Sequence, residues 1–158
     1  MRRVIIHTDG GCRGNPGIGA WGAVIEDLPS HMKLEIGGGE RVTTNNRMEL
    51  SAAVASLKRL TESCEVTLMS DSTYVVKGMT QWIHGWMKRG WKKSDKKPVE
   101  NRDLWEALQK AAERHHVRWQ WVEGHAGHHG NERCDEIVND IMDSMQSGGA
   151  MTYEKRIV

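Results

Sequence analysis

The feature that most constrains the fold is a glycine-rich segment after the first apolar run. Residues 17–22 read GIGAWG and match the G-x-G-x-x-G pattern of dinucleotide-binding loops. In such a loop the last glycines open a helix. Here the following segment is apolar and β-branched, and Pro29 would stop a helix. Asn15-Pro16-Gly17 is also a turn signal, so we interpret residues 14–22 as a hairpin connection rather than a cofactor site.

The order of the predicted elements indicates an α/β protein. Apolar, β-branched runs predict five strands, at residues 3–9, 20–28, 32–42, 65–70 and 117–122. Helical spacing of apolar residues predicts helices at 45–60, 101–113 and 131–145, with short helical pieces before 87. This order is typical of a mixed sheet flanked by helices. The glycine- and serine-containing segment 144–158 is poorly periodic, and we expect a loosely ordered C-terminal tail there.

Length and composition favour one domain inside the cell. The chain has 158 residues and a net charge of +1, so it is neither a polycation nor an acidic tail protein. Its three cysteines form no C-x-x-C pair, which favours a reducing compartment over a disulfide framework. No apolar stretch has the length of a signal peptide or a membrane span. We expect a cytoplasmic protein that contacts no membrane and is a monomer.

Four carboxylates occupy positions from which they could converge. Asp9 and Asp71 each end a predicted strand, and parallel neighbouring strands would bring both to one edge of the sheet. Glu49 borders the apolar stripe of its predicted helix, and Asp135 borders that of the last helix. Each acid alone has a plainer explanation, as a turn residue, a helix cap, a capping-box member or part of a solvated face. Their joint placement favours a common site.

A carboxylate cluster requires cations, because several like charges at close range do not ionise together otherwise. Oxygen ligands favour Mg²⁺ or Mn²⁺ over zinc. Two such ions can activate a water molecule and stabilise the leaving oxygen in phosphodiester cleavage. The sequence therefore favours a metal-dependent hydrolytic site built from these four acids.

A histidine-rich loop follows the fifth predicted strand. His125 lies between Gly124 and Ala126, and a flexible, exposed imidazole there suits proton transfer. The alternative is an ordinary surface histidine. Residues 125–134 also contain further histidines and a cysteine, so zinc binding is a second alternative, although the segment has no paired second half.

Residues 82–97 are both basic and aromatic. They contain six lysine or arginine residues against one aspartate, and three of the seven tryptophans. Cations on a protruding segment neutralise phosphates, which favours a nucleic-acid substrate. Trp82 and Trp86 are four residues apart, and the alternative for them is packing the segment onto the domain.

Six motifs, in order, resemble the bacterial ribonuclease HI family of the RNase H-like superfamily over roughly residues 3–143. They are TDGGCRGNPG (8–17), TTNNRMEL (43–50), SDS (70–72), TQWIHGWMKRGWK (80–92), KKPVENRDLW (96–105) and GHAGHHGNERCDE (124–136). The resemblance implies an RNase H-like fold with a five-stranded mixed sheet, in a catalytic domain at 1–143 with a basic protrusion at about 82–97. It also implies an endonuclease that cuts the RNA strand of RNA/DNA hybrids by a two-metal-ion mechanism. The expected products carry a 3′-hydroxyl and a 5′-phosphate.

The resemblance implies roles for particular residues. The metal-binding catalytic acids match Asp9, Glu49, Asp71 and Asp135, with Mg²⁺ as the cofactor and Mn²⁺ as a substitute. His125 matches a mobile histidine that helps proton transfer or product release. Hybrid-contacting positions match Cys12, Asn15, Asn45 and Asn46, and Thr44 matches part of the pocket for a DNA phosphate. The protrusion that grips the DNA strand matches Trp82, Trp86, Lys88, Arg89, Lys92 and Lys93.

The chain departs from the family's pattern at three places. Thr73 stands where the family often has a hybrid-contacting glutamine, so we do not expect that contact here. Gly11 replaces a common serine. His129-Gly130 replaces a common Pro-Glu, and we expect the loop that carries His125 to move differently.

Overall fold

A six-stranded mixed sheet forms the centre of the computed structural model, which describes residues 1–158. The strands are β1 (Arg2–Arg13), β2 (Gly17–Asp27), β3 (Lys33–Thr43), β4 (Cys64–Ser70), β5 (His116–Trp121) and β6 (Thr152–Ile157). Their order across the sheet is β5-β4-β1-β2-β3-β6. β4 lies parallel to β1 and β5, and the other neighbours are antiparallel. The predicted mixed sheet is confirmed, but the predicted number of five strands is wrong.

Helices cover both faces of this sheet. They are α1 (Asn45–Lys58), α2 (Thr73–Lys77), a π-helical turn (Gly78–Trp82), α3 (Ile83–Lys88), α4 (Arg102–Glu113) and α5 (His129–Gln146). Side chains alternate between the two faces along each strand. In β2, Ala23 and Ile25 therefore face the core shared with α1 and α4, whereas Ala20 and Val24 face α5. None of the helices combines the length and apolar character that a membrane crossing requires.

The sixth strand lies in the segment predicted to be a loosely ordered tail, and that prediction is wrong. α5 continues to Gln146, and β6 pairs with β3 from Lys33–Ile157 to Gly38–Thr152. Most side chains of β6 are exposed, so its own sequence has no apolar alternation to signal a strand. Its order comes from backbone hydrogen bonds to the free edge of β3, which a local pattern does not reveal.

β1 extends beyond its predicted end at residue 9. Its parallel pairing with β4 ends at Thr8–Ser70, but its antiparallel pairing with β2 continues to Arg13. Asp9 therefore lies within a strand, at the point where β1 and β4 separate. The turn at residues 14–16 connects β1 to β2, which confirms a hairpin, but residues 17–22 lie in β2 rather than in the connection.

Candidate active site

Three of the four acids meet where β1 and β4 separate. One carboxylate oxygen each of Asp9, Glu49 and Asp71 lies within 4.8 Å of the other two. Asp9 and Glu49 are buried, and Asp71 is half-buried. The group, hereafter the acid cluster, joins a residue of β1, one of α1 and one that follows β4. The catalytic roles of these acids stay predictions.

The backbone of β1 holds Glu49 in place. The amide of Gly10 donates a hydrogen bond to Glu49 Oε1 (3.0 Å), and Glu49 Oε2 is buried without a hydrogen-bond partner. A side chain at Gly10 would overlap the backbone of α1, so only glycine allows this approach. Thr44 caps α1 by accepting a hydrogen bond from the Arg47 amide (3.3 Å). The capping-box alternative for Glu49 is therefore wrong.

Contacts from β5 and the loop after it hold Asp71. Trp121 Nε1 donates a hydrogen bond to the Asp71 carbonyl oxygen (3.0 Å). The backbone of Gly124 approaches so closely that a methyl group there would lie 2.8 Å from Asp71 Oδ2. The cap of α2 is Ser72, whose hydroxyl accepts a hydrogen bond from the Val75 amide (3.2 Å), so the cap alternative for Asp71 is wrong.

Sequence reasoning missed three residues that support the cluster, namely Gly10, Trp121 and Gly124. The sequence did point to the two glycines, because each is adjacent to a candidate catalytic residue. Nothing in the sequence pointed to Trp121. Its contact with Asp71 joins residues 50 positions apart, which only the parallel pairing of β4 with β5 brings together.

Burial and mutual repulsion oppose ionisation of the cluster. Burial and the nearby charge of Asp71 raise the pKa of Asp9 to about 7. Burial and the charge of Asp9 raise the pKa of Glu49 well above its ordinary value. A bound cation reverses both effects, because it stabilises the carboxylate form. Three carboxylates with one unpartnered buried oxygen fit a hard divalent cation.

Asp135 lies beside the acid cluster rather than in it. It lies on the flank of α5 that contacts β1, since Arg13 donates a hydrogen bond to Asn139 one turn further along (3.3 Å), and its charge contributes to the raised pKa of Asp9. Its oxygens are not among those that lie within 4.8 Å of one another. It projects, half-buried, from the second turn of α5, and its role as a metal ligand stays a prediction.

His125 is exposed in the loop between β5 and α5. Its backbone is left-handed (φ 59°), and it directly follows Gly124, which contacts Asp71. The loop thus leads from the acid cluster to a free imidazole. The zinc alternative gains no support, because Cys134 is buried and its thiol donates a hydrogen bond to the His7 carbonyl oxygen (3.2 Å).

The predicted hybrid-contacting residues lie where the β1–β2 turn meets the start of α1. Asn15 Oδ1 accepts a hydrogen bond from the Asn45 amide (3.2 Å), and the Cys12 thiol donates one to the Thr43 carbonyl oxygen (3.3 Å). Asn45 and Asn46 are exposed and border an open groove that also contains Glu49 and Asp71. Thr44, as the cap of α1, belongs to the same strip.

Aromatic rings anchor the basic segment, and its cations face solvent. The Trp86 ring centroid lies 5.2 Å from that of Trp105 in α4 and 5.8 Å from that of Trp82. The contact with Trp105 supports the packing alternative for Trp86, whereas Trp82 is 37% exposed. Substrate contact by either tryptophan stays a prediction. Lys88, Arg89 and Lys92 are exposed and Lys93 is half-buried.

The family model described as RNase H matches residues 1–143. The chain belongs to the RNase H family. Its similarity to individual RNase H proteins is high: it is 54% identical to the ribonuclease H of Chromohalobacter salexigens, over 93% of this chain and 88% of that one. It is 52% identical to the ribonuclease H of Rhizobium etli, over 97% of this chain and all of that one. RNase H enzymes are hydrolytic nucleases that depend on divalent metal ions, so the predicted enzyme class is confirmed.

Solved RNase H structures have the same fold. LC9-RNase H1, described as a type 1 RNase H with the type 2 active-site motif, is 32% identical with a TM-score of 0.84, covering 98% of this chain and 78% of that one. LC11-RNase H1, in complex with an RNA/DNA hybrid, is 26% identical with a TM-score of 0.67, covering 90% of this chain and 99% of that one. The predicted RNase H-like fold is confirmed.

Proposed function

We propose that the protein is an endoribonuclease that hydrolyses the RNA strand of RNA/DNA hybrids, leaving 3′-hydroxyl and 5′-phosphate ends. Its membership of the RNase H family supports this activity, as does its similarity to a protein solved with such a hybrid. The observation that carries the proposal is the acid cluster at one side of an open groove bordered by the start of α1. We further propose that the protein acts as a monomer in the cytoplasm.

The proposed cofactor is Mg²⁺, with Mn²⁺ as a substitute, held by Asp9, Glu49 and Asp71 with Asp135 completing the set. Two such ions, when bound, supply an activated water and stabilise charge on the leaving oxygen. The chain's own contribution is to hold the ligands in place. The Gly10 amide orients Glu49, and the indole of Trp121 fixes the backbone of Asp71.

The proposed role of His125 is to carry protons to and from the reacting groups. An imidazole can accept and donate protons near neutral pH. Its exposed position, one residue after the glycine that touches Asp71, gives it access to both the site and solvent. A His125→Ala variant that keeps hybrid affinity but turns over more slowly would support this role, and unchanged turnover would exclude it.

Binding of the hybrid is proposed to use two surfaces. Short polar groups at Cys12, Asn15, Asn45 and Asn46, on a glycine-rich turn and a helix start, can approach 2′-hydroxyls and backbone phosphates. Thr44 is assigned to a phosphate of the DNA strand. The exposed cations among Lys88, Arg89, Lys92 and Lys93 would neutralise further DNA phosphates.

The test is cleavage of strand-labelled substrates. Equal concentrations of an RNA/DNA hybrid, duplex RNA and duplex DNA are incubated with the protein in Mg²⁺ or in EDTA. We expect cleavage of the RNA strand of the hybrid alone, only with Mg²⁺, and products that a 5′-phosphate-dependent exonuclease degrades. Binding of the hybrid without cleavage would contradict the proposal and indicate a binding module instead.

A further inference from the structure

An ion pair between a buried glutamate and a half-buried arginine connects β3, α5 and β6. The Glu35 carboxylate is only 4% exposed, and it accepts two hydrogen bonds from the Arg133 guanidinium (2.7 and 3.0 Å). Tyr153 of β6 donates a third hydrogen bond to the same carboxylate (2.9 Å). Arg133 also donates a hydrogen bond to the Tyr153 hydroxyl (3.3 Å). The C-terminal strand is therefore connected directly to α5.

The ion pair and Asp135 lie on opposite flanks of α5. At 100° per residue, the buried residues Cys134, Ile137 and Val138 form the seam that faces the sheet. Arg133 borders that seam on the side of β3, and Asp135 borders it on the side of β1, where Arg13 donates a hydrogen bond to Asn139 (3.3 Å), one turn after Asp135. A rotation of α5 about its own axis would therefore move both residues together.

Close apolar contacts hold α5 against the sheet. Methyl groups at Gly22 and Gly37 would lie 3.1 and 2.8 Å from Ile137 Cγ2, so these glycines allow close packing. The helix contributes mainly aliphatic and methionine side chains to this contact. Such side chains adapt to small shifts, whereas a bidentate arginine–carboxylate pair has one preferred geometry.

We propose that Tyr153, Glu35 and Arg133 are positioning residues that set the rotation of α5 and so place Asp135 beside the acid cluster. The inference rests on the proposed function and on the role proposed for Asp135. Side chains extend to roughly 6 Å from a helix axis, so a rotation of about 10° displaces Asp135 by about 1 Å. A misplacement of that size can slow catalysis about 100-fold.

The test replaces Glu35 and Arg133 by apolar side chains. Glu35 is buried and the Arg133 side chain is 34% exposed. Replacing an ion pair with a buried member by apolar residues of similar volume is often neutral or stabilising, so Glu35→Leu/Arg133→Met separates stability from positioning. We expect this double variant to unfold at or near the parent's Tm and to bind the hybrid in EDTA with the parent's affinity. We expect single-turnover cleavage to be about 10- to 100-fold slower. The rise in Tm on adding Mn²⁺ should also be smaller than the parent's.

Two single variants keep the test decisive if the double variant does not fold. Tyr153→Phe removes one hydrogen bond to Glu35, and we expect about threefold slower cleavage at unchanged hybrid affinity. Glu154→Gln is the matched control, because it breaks the exposed Arg59–Glu154 pair between β6 and the end of α1 but leaves the contacts among Tyr153, Glu35 and Arg133 intact. We expect it to cleave at the parent rate.

The outcomes separate the inference from the proposed function. A folded double variant with the parent's rate would overturn the inference, as would equal rates for Tyr153→Phe and Glu154→Gln. A parent protein that does not cut the hybrid would overturn the proposed function itself. Parent-like cleavage by Asp135→Asn would overturn the role of Asp135 and, with it, the inference.

Discussion

Replacing Gly10 by alanine should slow cleavage about 100-fold without unfolding the protein. Gly10 lies against α1, where a methyl group would overlap the Glu49 amide nitrogen and the Met48 carbonyl carbon. These are backbone atoms, so no change of rotamer relieves the overlap. The methyl group would also lie 2.8 Å from the Met48 carbonyl oxygen, whereas ordinary contact begins at 3.4 Å. α1 must therefore move away from β1.

The displacement sets the expected loss of activity. The contact with the Met48 oxygen alone requires a shift of about 0.6 Å, and the overlapping atoms require about 1 Å. Because Glu49 moves with α1 and loses its hydrogen bond from the Gly10 amide, the acid cluster opens by a similar distance. A 1 Å error at a catalytic group costs about 100-fold in rate. The free energy of unfolding should fall by about 1–3 kcal/mol, as for other overpacked sites.

The assay compares Gly10→Ala with Gly11→Ala. A methyl group at Gly11 would meet only side-chain atoms, at 3.2 Å from Val138 Cγ1 and 3.7 Å from Met142 Cε, so this control should keep most of its activity. Single-turnover cleavage of the hybrid is measured with Mg²⁺ at a temperature at which urea titration shows both variants folded. Gly10→Ala within threefold of the parent rate would refute the reasoning.

Three further predictions concern the acid cluster, the basic segment and the stability of the fold at low pH. The Asp9→Asn variant should cut the hybrid at less than about one-hundredth of the parent rate, because it lacks a proposed metal ligand. It should still bind the hybrid with the parent's affinity in EDTA. Cutting at the parent rate would exclude Asp9 as a metal ligand. Replacing Lys92 and Lys93 by glutamine should weaken hybrid binding. The slope of log affinity against log salt concentration should also become smaller, by about one for each phosphate that is no longer neutralised. An unchanged slope would show that neither lysine binds a phosphate. Hydrogen bonds from Arg133 hold the pKa of Glu35 below its ordinary 4.5, so this carboxylate stabilises the fold above pH 4.5 and that stability is lost as pH falls through the folded pKa. Urea unfolding at pH 7 and pH 3 should therefore show a smaller difference for Glu35→Gln than for the parent, and an equal difference would contradict this assignment.

Sequence alone predicts the meeting of Asp9, Glu49 and Asp71 because each follows from a local pattern and one topological rule. When a helix connects two neighbouring strands, as α1 connects the β1–β3 segment to β4, the two strands can lie parallel in the sheet. Residues at the ends of two parallel strands then lie close together at one edge of the sheet. The apolar stripe of α1 then places Glu49 on the flank nearest the sheet. Asp135 is different, because its distance from the acid cluster depends on how α5 is rotated and where it packs on the sheet. Helical periodicity predicts neither the rotation nor the position of the helix.

The C-terminal strand shows where local patterns fail. Thr152–Ile157 form a strand because they pair with the otherwise free edge of β3. Tyr153 donates a hydrogen bond to Glu35, which lies 118 residues earlier in the sequence. The sequence marks Glu35 only as one charged residue in a predicted strand. Its half-buried partner, Arg133, lies 98 residues away and is indistinguishable in sequence from the solvated charges around it. Such pairs become visible only once the sheet order is known.

The central claim is tested most directly by anomalous diffraction from Mn²⁺. It is measured in crystals of the parent protein without hybrid and in crystals of the Asp71→Asn variant bound to an RNA/DNA hybrid. The claim is that the acid cluster holds the metal ions at the scissile phosphate. We predict parent density for Mn²⁺ within bonding distance, about 2 Å, of the carboxylates of Asp9, Glu49 and Asp71. In the variant, we predict weaker density at the same place, next to a phosphate of the RNA strand. Mn²⁺ bound elsewhere, or none at the cluster in a buffer that supports cleavage, would contradict the account.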